Sequence, residues 1–597
     1  MNHILEPDVA WLRDPGASVN RLRVHATWRS RRPIQMLSST WQVSSAIGTA
    51  AELIERAPTQ RDFGATSVPG ILELDGSWSS EKERSPDATA QDGHAESQVR
   101  ASILRREFSL DAPLKEASER GWMMTLTFGG FSGPLYAWVD GSFVGFCPDG
   151  FIPAAFDVTD ALEPTHTHAI SVLLLDSPVC CHGLFREVSL EARPPSHIVD
   201  VFPMASHDGA SGSLRLEIEA TGGGRLRAAL LGEAHQEEMW SARGVPDAPI
   251  VAQGLDVLPW SAEEPALYTL VVTLSAEDGT EDTIALQVGF RGLDASPQNV
   301  RLGGRPLVLR GVRRNECHPR TGLAVGLPEM LEDIVWCKRH GVNAIEISDA
   351  PVHARFYELA DEYGLYIIDR PSAMHRSGEA LAEAVEAAIR RDRAHPSVIA
   401  WSLGDSGQQE LARSLDPTRP LMSASGFPEL EKIRGEELHY APVSVAPSYS
   451  GVTVRNHMTF TSTGDLEFLC RTVEDGHATW EYPAFLDVAP GETAFLPVEW
   501  PASGVREVSV RLSYGTGWAP AGFEIGRGFM PAPPQGMQQA PVRANSRANS
   551  SCGAMALGCL VISVIVMALM YGCIHAVDKL GSSHSGSETS ATPDKAS

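Results

Sequence analysis

Between residues 101 and 292 apolar and polar positions alternate with a period of two, and turn residues interrupt the alternation at short intervals. The segments "WMMTLTFGG" (122–130), "LYAWVDGSFVGF" (135–146), "HAISVLLLDS" (168–177) and "REVSLEA" (186–192) predict strands of an antiparallel sandwich. "SLRLEIEATGGG" (213–224), "YTLVVTLSAEDGT" (268–280) and "TIALQVGFRG" (283–292) predict a second one. Near residue 300 the period changes. "LPEMLEDIVWCKRHG" (327–341) sets Met330, Leu331, Ile334 and Val335 on one helical face, with Pro328 in the first turn and Gly341 after the end. Strand then alternates with helix: "VNAIEIS", "PVHARFYELADEYG", "LYIIDR", "EALAEAVEAAIRRDRAHPS", "VIAWSLGD" and finally "RPLMSAS". Five strands in this rhythm predict a parallel sheet of (β/α) barrel type. In such barrels functional residues gather at the C-terminal ends of the strands, which draws attention to Glu316, Asp349, Asp369, Arg370, His375 and Asp405.

Two segments depart from these periods. Residues 76–100 are rich in Ser, Asp and Glu without periodic apolar positions and predict a disordered insertion. From Gly553 to Val577 the chain carries no Asp, Glu, Lys or Arg, a run longer than the ~20 residues that cross a bilayer as a helix. It follows a Pro-, Gln- and Asn-rich linker and precedes a polar tail, so a single-pass C-terminal membrane anchor is expected. Arg543 and Arg547 before it outnumber Lys579 after it, which places the large N-terminal part in the cytosol.

Composition narrows the function. A net charge of −26 argues against nucleic-acid binding, which needs a basic face; "RLRVHATWRSRRP" (21–33) is a local exception. The 9 cysteines are odd in number and show no Cys-x-x-Cys spacing, which favours a reducing compartment over a disulfide framework.

Several long segments carry a specific resemblance: "PWSAEEPALYTLVVTL", "GFRGL", "LGGRPLVLRGVRRNECHP", "FYELADEYGLYIIDR" and "RDRAHPSVIAWSLG". Together they resemble glycoside hydrolase family 2, in particular its large bacterial-type β-galactosidases. "AWVDGSFVGFCPDGFIPAAFDVTDAL" resembles the family's sugar-binding jelly roll, and "GVTVRNHMTFTSTG" the sandwich that follows its barrel. The resemblance implies an N-terminal segment (1–69), a jelly-roll β-sandwich (70–195), an immunoglobulin-like β-sandwich (196–296) and a truncated (β/α) TIM-like barrel (297–435). A second β-sandwich (436–530), a linker (531–552), a transmembrane helix (553–577) and a polar tail (578–597) would follow.

The family's chemistry requires two carboxylates, one to protonate the leaving oxygen and one to attack the anomeric carbon. Relative to the family pattern, Arg314-Asn315-Glu316 keeps the glutamate but replaces a substrate-facing histidine, and Ser348-Asp349-Ala350-Pro351 replaces another. Asn315, Glu316 and Asp349 are the implied substrate-binding positions. Asp369-Arg370-Pro371-Ser372 stands where the family has Asp-Glu-Ala-Asn. Of the magnesium-binding Glu-Thr-His only His375 has a counterpart, with Ala373 in the glutamate's place, so the implied metal site is lost and no cofactor is expected. Asp405 occupies the acid/base position, one methylene and one loop residue short. The seventh-strand nucleophile has no counterpart, because the connector between "LMSAS" and "GVTVRN" cannot hold three more βαβ units of ~30 residues each. Glu436 and Glu437 in that connector read as solvated loop charges.

These departures imply a β-galactosidase-like protein that is catalytically degenerate and acts in binding or scaffolding; the alternatives are an active glycosidase that uses Asp405 and a carbohydrate-binding protein. Five parallel strands cannot close a barrel, so the edge at "LMSAS" is expected to need a cover, either residues 427–445, a second copy or another protein.

Overall fold

The computed structural model describes residues 6–531 apart from 14–16, 75–97, 177–180, 233–236, 295–299, 349, 372–377, 405, 423–425 and 435–439. Met1–Gln535 form one unit. Its first sandwich pairs a six-stranded antiparallel sheet, in the order Gly64–Val68, Ser39–Thr49, Gln98–Ser109, Thr167–Leu175, Leu135–Val139, Ser142–Cys147, with a four-stranded one. The central strand Thr167–Leu175 explains the unbroken "VLLL" run, which alternation alone does not. Ile170, Val172 and Leu174 enter the core between the sheets, while Leu173 and Leu175 are buried on the other face under the helix Ala50–Arg56. That helix starts on a capping box between Thr49 and Glu52, which satisfies two of its otherwise unpaired donors.

Ser39–Thr49 and Gly64–Val68 fall within the segment expected to precede this sandwich, yet they are two of its strands. Likewise Gln98–Ser109 is a strand from its first residue, so the polar run expected to extend to residue 100 ends sooner; residues 75–97 lie outside the described residues.

The second sandwich packs a five-stranded sheet on a three-stranded one. Tyr268–Ser275 alternates strictly between buried and half-buried positions, as a strand with one face on the core must. Its outermost pairing comes from Arg29–Ser30, near the start of the chain, beside Glu281–Val288.

The third region is a five-stranded parallel sheet in sequential order: Gly311–Arg314, Ala344–Ile347, Tyr366–Asp369, Val398–Ser402 and Leu421–Met422. The helices Leu327–Arg339, Ala354–Tyr363, Gly378–Asp392 and Ser406–Leu415 connect them. The first helix buries Met330 and Ile334 as expected, but its buried face is rotated toward Asp333 and Cys337, leaving Leu331 and Val335 half-buried, because Asp333 turns inward to bond Arg314. Gly341 and Gly364, each after a helix, take positive φ of 68° and 73°, a conformation that suits glycine.

Among the described residues no strand pairs with the outer edge of the fifth strand. Pro428 O instead accepts the Arg313 N–H at 2.7 Å, and Glu429 bridges Arg313 in parallel, so the connector lies along the edge of the first strand. Phe427 rests so close to Gly311 that a Cβ there would lie 2.1 Å from its ring. The expected cover over "LMSAS" is thus found, in part, on the opposite edge. A final sandwich of three and four antiparallel strands follows from Val443 to Met530.

The expectation of a single-pass membrane protein with a cytosolic N-terminal part does not stand. Among the described residues no helix is long and apolar enough to cross a membrane, and residues 553–577, on which the expectation rested, lie outside the described residues.

Candidate active-site face of the parallel sheet

Strand one ends at Arg314, and the next residues turn over the C-terminal edge of the sheet. Glu316 projects there but is almost completely buried, its side chain 1% accessible. Arg314 Nη1 donates to its Oε2 at 2.8 Å, while Arg186 Nη2, from the jelly roll, reaches Oε1 at 3.4 Å. The His353 N–H donates to the same Oε1 at 2.9 Å. Burial alone would raise the Glu316 carboxyl, but the charges of Arg314 and Arg186 outweigh it and hold it below the ordinary glutamate range. Both guanidiniums are anchored further. Arg314 Nε donates to Asp333 Oδ2 at 2.7 Å with its guanidinium 4.2 Å from the Phe356 ring, and Arg186 donates to Phe151 O and Pro351 O at 2.7 and 3.0 Å. Glu316 is therefore a fully bonded anion that ties the jelly roll to the parallel-sheet domain.

Beside it, Glu187 accepts from His353 Nε2 at 3.0 Å. That hydrogen bond, working against partial burial, lowers the Glu187 carboxyl to about 2. Asn315 is exposed, and its Oδ1 accepts from Ser348 Oγ, so strands one and two do bring the Asn315 and Ser348 positions together. Asp349, His375 and Asp405 lie outside the described residues.

Asp369 ends strand three but turns away from this face. Its Oδ1 accepts from Tyr357 Oη at 2.9 Å and from the Arg370 N–H at 2.8 Å, and Arg391 and Asp392 act on it from the end of the third helix. Burial first, and the negative charge of Asp392 second, push its carboxyl up to about 7 against the pull of Arg391. Tyr357 and Asp392 belong to helices, so this carboxyl sits in the layer between sheet and helices.

Strand four leads through Leu403 and Gly404 toward Asp405. A retaining enzyme needs a second carboxylate about 5 Å from its acid, carried on a later strand of the barrel. The chain passes from strand five to the Pro428–Glu429 contact on strand one without a further parallel strand among the described residues. Among the described residues no group of three or more His, Cys, Asp or Glu side chains is placed to hold a metal ion.

Sequence reasoning identified Glu316 and its pairing with a neighbouring arginine, which proves to be Arg314, but not the second guanidinium that holds it. Arg186 lies 130 positions earlier, in "GLFREVSL", and reads locally as one charged residue entering a strand. Only its place, beside an acidic residue and at the end of a loop in the jelly roll, could have drawn attention to it.

Comparison with known proteins agrees with this architecture. Residues 196–291 match the family model "Glycosyl hydrolases family 2", residues 295–459 its TIM barrel domain, and residues 452–533 "Beta-galactosidase, domain 4". The β-galactosidase BgaC of Bifidobacterium adolescentis is 26% identical, over 88% of this chain and 70% of its own length. The β-galactosidases of Streptococcus thermophilus and Yersinia enterocolitica are 28% and 31% identical, and the chain spans only 42% and 35% of their lengths. Among solved structures, the β-glucuronidase of Ruminococcus gnavus bound to D-glucuronic acid shares the fold with a TM-score of 0.56 at 20% identity, over 67% of this chain and 75% of that one. The chain belongs to glycosyl hydrolase family 2 and is β-galactosidase-like.

Proposed function

We propose that this family 2 protein does not hydrolyse glycosides and that its domains serve binding or scaffolding. The observation that carries this reading is that the chain passes from strand five to the Pro428–Glu429 contact on strand one with no further parallel strand, among the described residues, to carry a nucleophile. Glu316, an implied substrate-binding position, does not take that role, because two guanidiniums and a backbone N–H already occupy it. A carboxylate held ionised cannot deliver a proton near neutral pH, and one with its oxygens bonded is poorly placed to attack carbon. A carbohydrate remains the natural ligand class for such a frame, and the edge of strand five, unpaired among the described residues, remains a place for a second copy or another protein.

A second reading, an active β-galactosidase-type enzyme with Asp405 as acid, is supported by the similarity to β-galactosidases over most of the chain. The two readings part in a simple assay. The full chain is incubated with aryl β-galactosides, β-glucuronides and β-mannosides, and aglycone release is followed beside the Asp405→Ala variant. Removing one essential group typically costs on the order of 10⁴-fold or more, so the proposal expects no release above the Asp405→Ala control. Release that disappears in Asp405→Ala would establish the enzyme instead.

A further inference from the structure

A cleft of about 410 Å³ lies between the second sandwich and the parallel-sheet domain. Its barrel wall comes from Pro396, ahead of strand four, and from Pro417–Arg419, ahead of strand five. It therefore opens at the N-terminal ends of the strands, on the side of the sheet away from Glu316. Three arginines line it; Arg215 is exposed and pairs with Glu217 at 3.1 Å, and the other two are buried. Arg419 is 6% exposed and balanced: it donates to Asp416 Oδ2 at 2.6 Å and to the carbonyls of Val398 and His395 at 2.7 and 2.8 Å. Arg291 is 7% exposed, and its Nη1 donates to Pro396 O, but it forms no ion pair among the described residues.

Asp416 is the nearest source of compensation, and it is already committed. Its oxygens accept from Arg419, from Trp401 Nε1 at 2.9 Å, and from the N–H and Oγ1 of Thr418 at 3.0 and 2.5 Å. Asp361, the other carboxylate that acts on Arg291, is committed to His395 Nδ1 at 2.6 Å and to the Ser397 N–H at 2.8 Å, so the Arg291 guanidinium stands on the wall of the cleft without an ion pair of its own among the described residues. Burial and the like charge of Arg419 both push the Arg291 proton affinity down, yet a guanidinium does not deprotonate in a protein. A buried charge that cannot neutralise itself needs a counter-ion.

We propose that this cleft is a binding site for a small oxyanion, a carboxylate or phosphate group, with Arg291 as its principal ligand. A planar guanidinium offers such a group two parallel charge-assisted bonds, which a backbone carbonyl uses only in part. The remaining lining mixes apolar residues, among them Met204, Val288 and Leu293, with the polar Ser206 and Thr418, and can accommodate a small body that carries the group. The site does not depend on whether the opposite face of the sheet is catalytic.

The test is calorimetric titration of the full chain at constant ionic strength with inorganic phosphate, sulfate, acetate and glucuronate. Saturable binding of at least one is expected in the millimolar range or below; preference for phosphate over acetate identifies a phosphate site, and preference for glucuronate a carboxylate carried on a sugar. Arg291→Met should weaken that binding roughly tenfold or more, the loss expected for one charge-assisted contact. Arg291→Lys should recover part of it. Arg291 also braces the domain junction, so Ser206→Trp provides an independent check: Ser206 is exposed at the cleft and a bulky ring there obstructs entry without touching Arg291. No saturable binding by the unmodified protein, or equal affinity in Ser206→Trp, would overturn the proposal.

Discussion

Replacing Glu316 with Ala should destabilise the junction between jelly roll and parallel sheet far more than it affects any ligand. In the native protein Glu316 is the ion-pair partner of Arg186, whose side chain is 3% accessible, and one of two for Arg314, which keeps Asp333 at 2.7 Å. After the substitution Arg314 stays compensated, but Arg186 retains only neutral acceptors, the carbonyls of Gly129, Phe151 and Pro351. Removing one partner of a buried ion pair costs about 3–5 kcal/mol, because the other charge is left uncompensated. The His353 N–H loses its acceptor as well, at about 1–3 kcal/mol, though the terms overlap and do not simply add. Arg186→Met should cost less than Glu316→Ala, since Glu316 keeps Arg314 and the His353 amide. In the double variant the two losses should fall well short of their sum. Urea denaturation combined with hydrogen exchange at residues 351–356 measures both quantities. The reasoning fails if Glu316→Ala unfolds within ~0.5 kcal/mol of the unmodified protein, the range of an ordinary surface substitution.

The remaining predictions concern pH and the closure of the sheet. Asp369 has its folded pKa raised to about 7, above the ~3.9 of an unfolded aspartate, so its contribution to stability is greatest at low pH and falls as pH rises through that window. Asp369→Asn should flatten this part of the stability profile measured by denaturation from pH 4 to 8; an unchanged slope would refute the assignment. Glu187 is lowered to about 2, so the stabilisation from its bond to His353 is present above ~4.3 and lost as pH falls toward about 2, and Glu187→Gln should remove that acid sensitivity in denaturation extended below ~4.3 toward pH 2; an unchanged acid limb would refute it. Gly311→Ala forces a methyl against the Phe427 ring and should release Pro428 from strand one, seen as faster exchange of the Arg313 amide; unchanged protection would mean that the connector accommodates the methyl.

Much of the architecture was legible because its signals are local. Tyr268–Ser275 alternates because one face is buried, and the helix Ala354–Tyr363 ends on Gly364, which is legible as a stop. The five parallel strands could be counted from the change of period. What stayed hidden depends on contacts between distant positions. The buried Asp333 looked like a solvent-facing residue because its partner Arg314 lies in another element, and the neutralisation of Glu316 depends on Arg186 in another domain. The docking of Pro428 on strand one was not legible either, since proline breaks the strand pattern although its carbonyl still accepts a ladder bond. The apolar run at 553–577 shows the converse: composition alone predicted an anchor, and the described residues provide no membrane-crossing helix.

The claim that this family 2 frame does not carry out hydrolysis is tested most directly by covalent trapping. A 2-deoxy-2-fluoro-β-galactosyl fluoride reacts with the nucleophile of a retaining enzyme and leaves a slowly hydrolysed glycosyl ester. Intact-mass spectrometry of the full chain after prolonged incubation should show the unmodified mass alone. A stoichiometric glycosyl adduct, mapped by peptide sequencing to an Asp or Glu side chain, would contradict the account and identify the nucleophile.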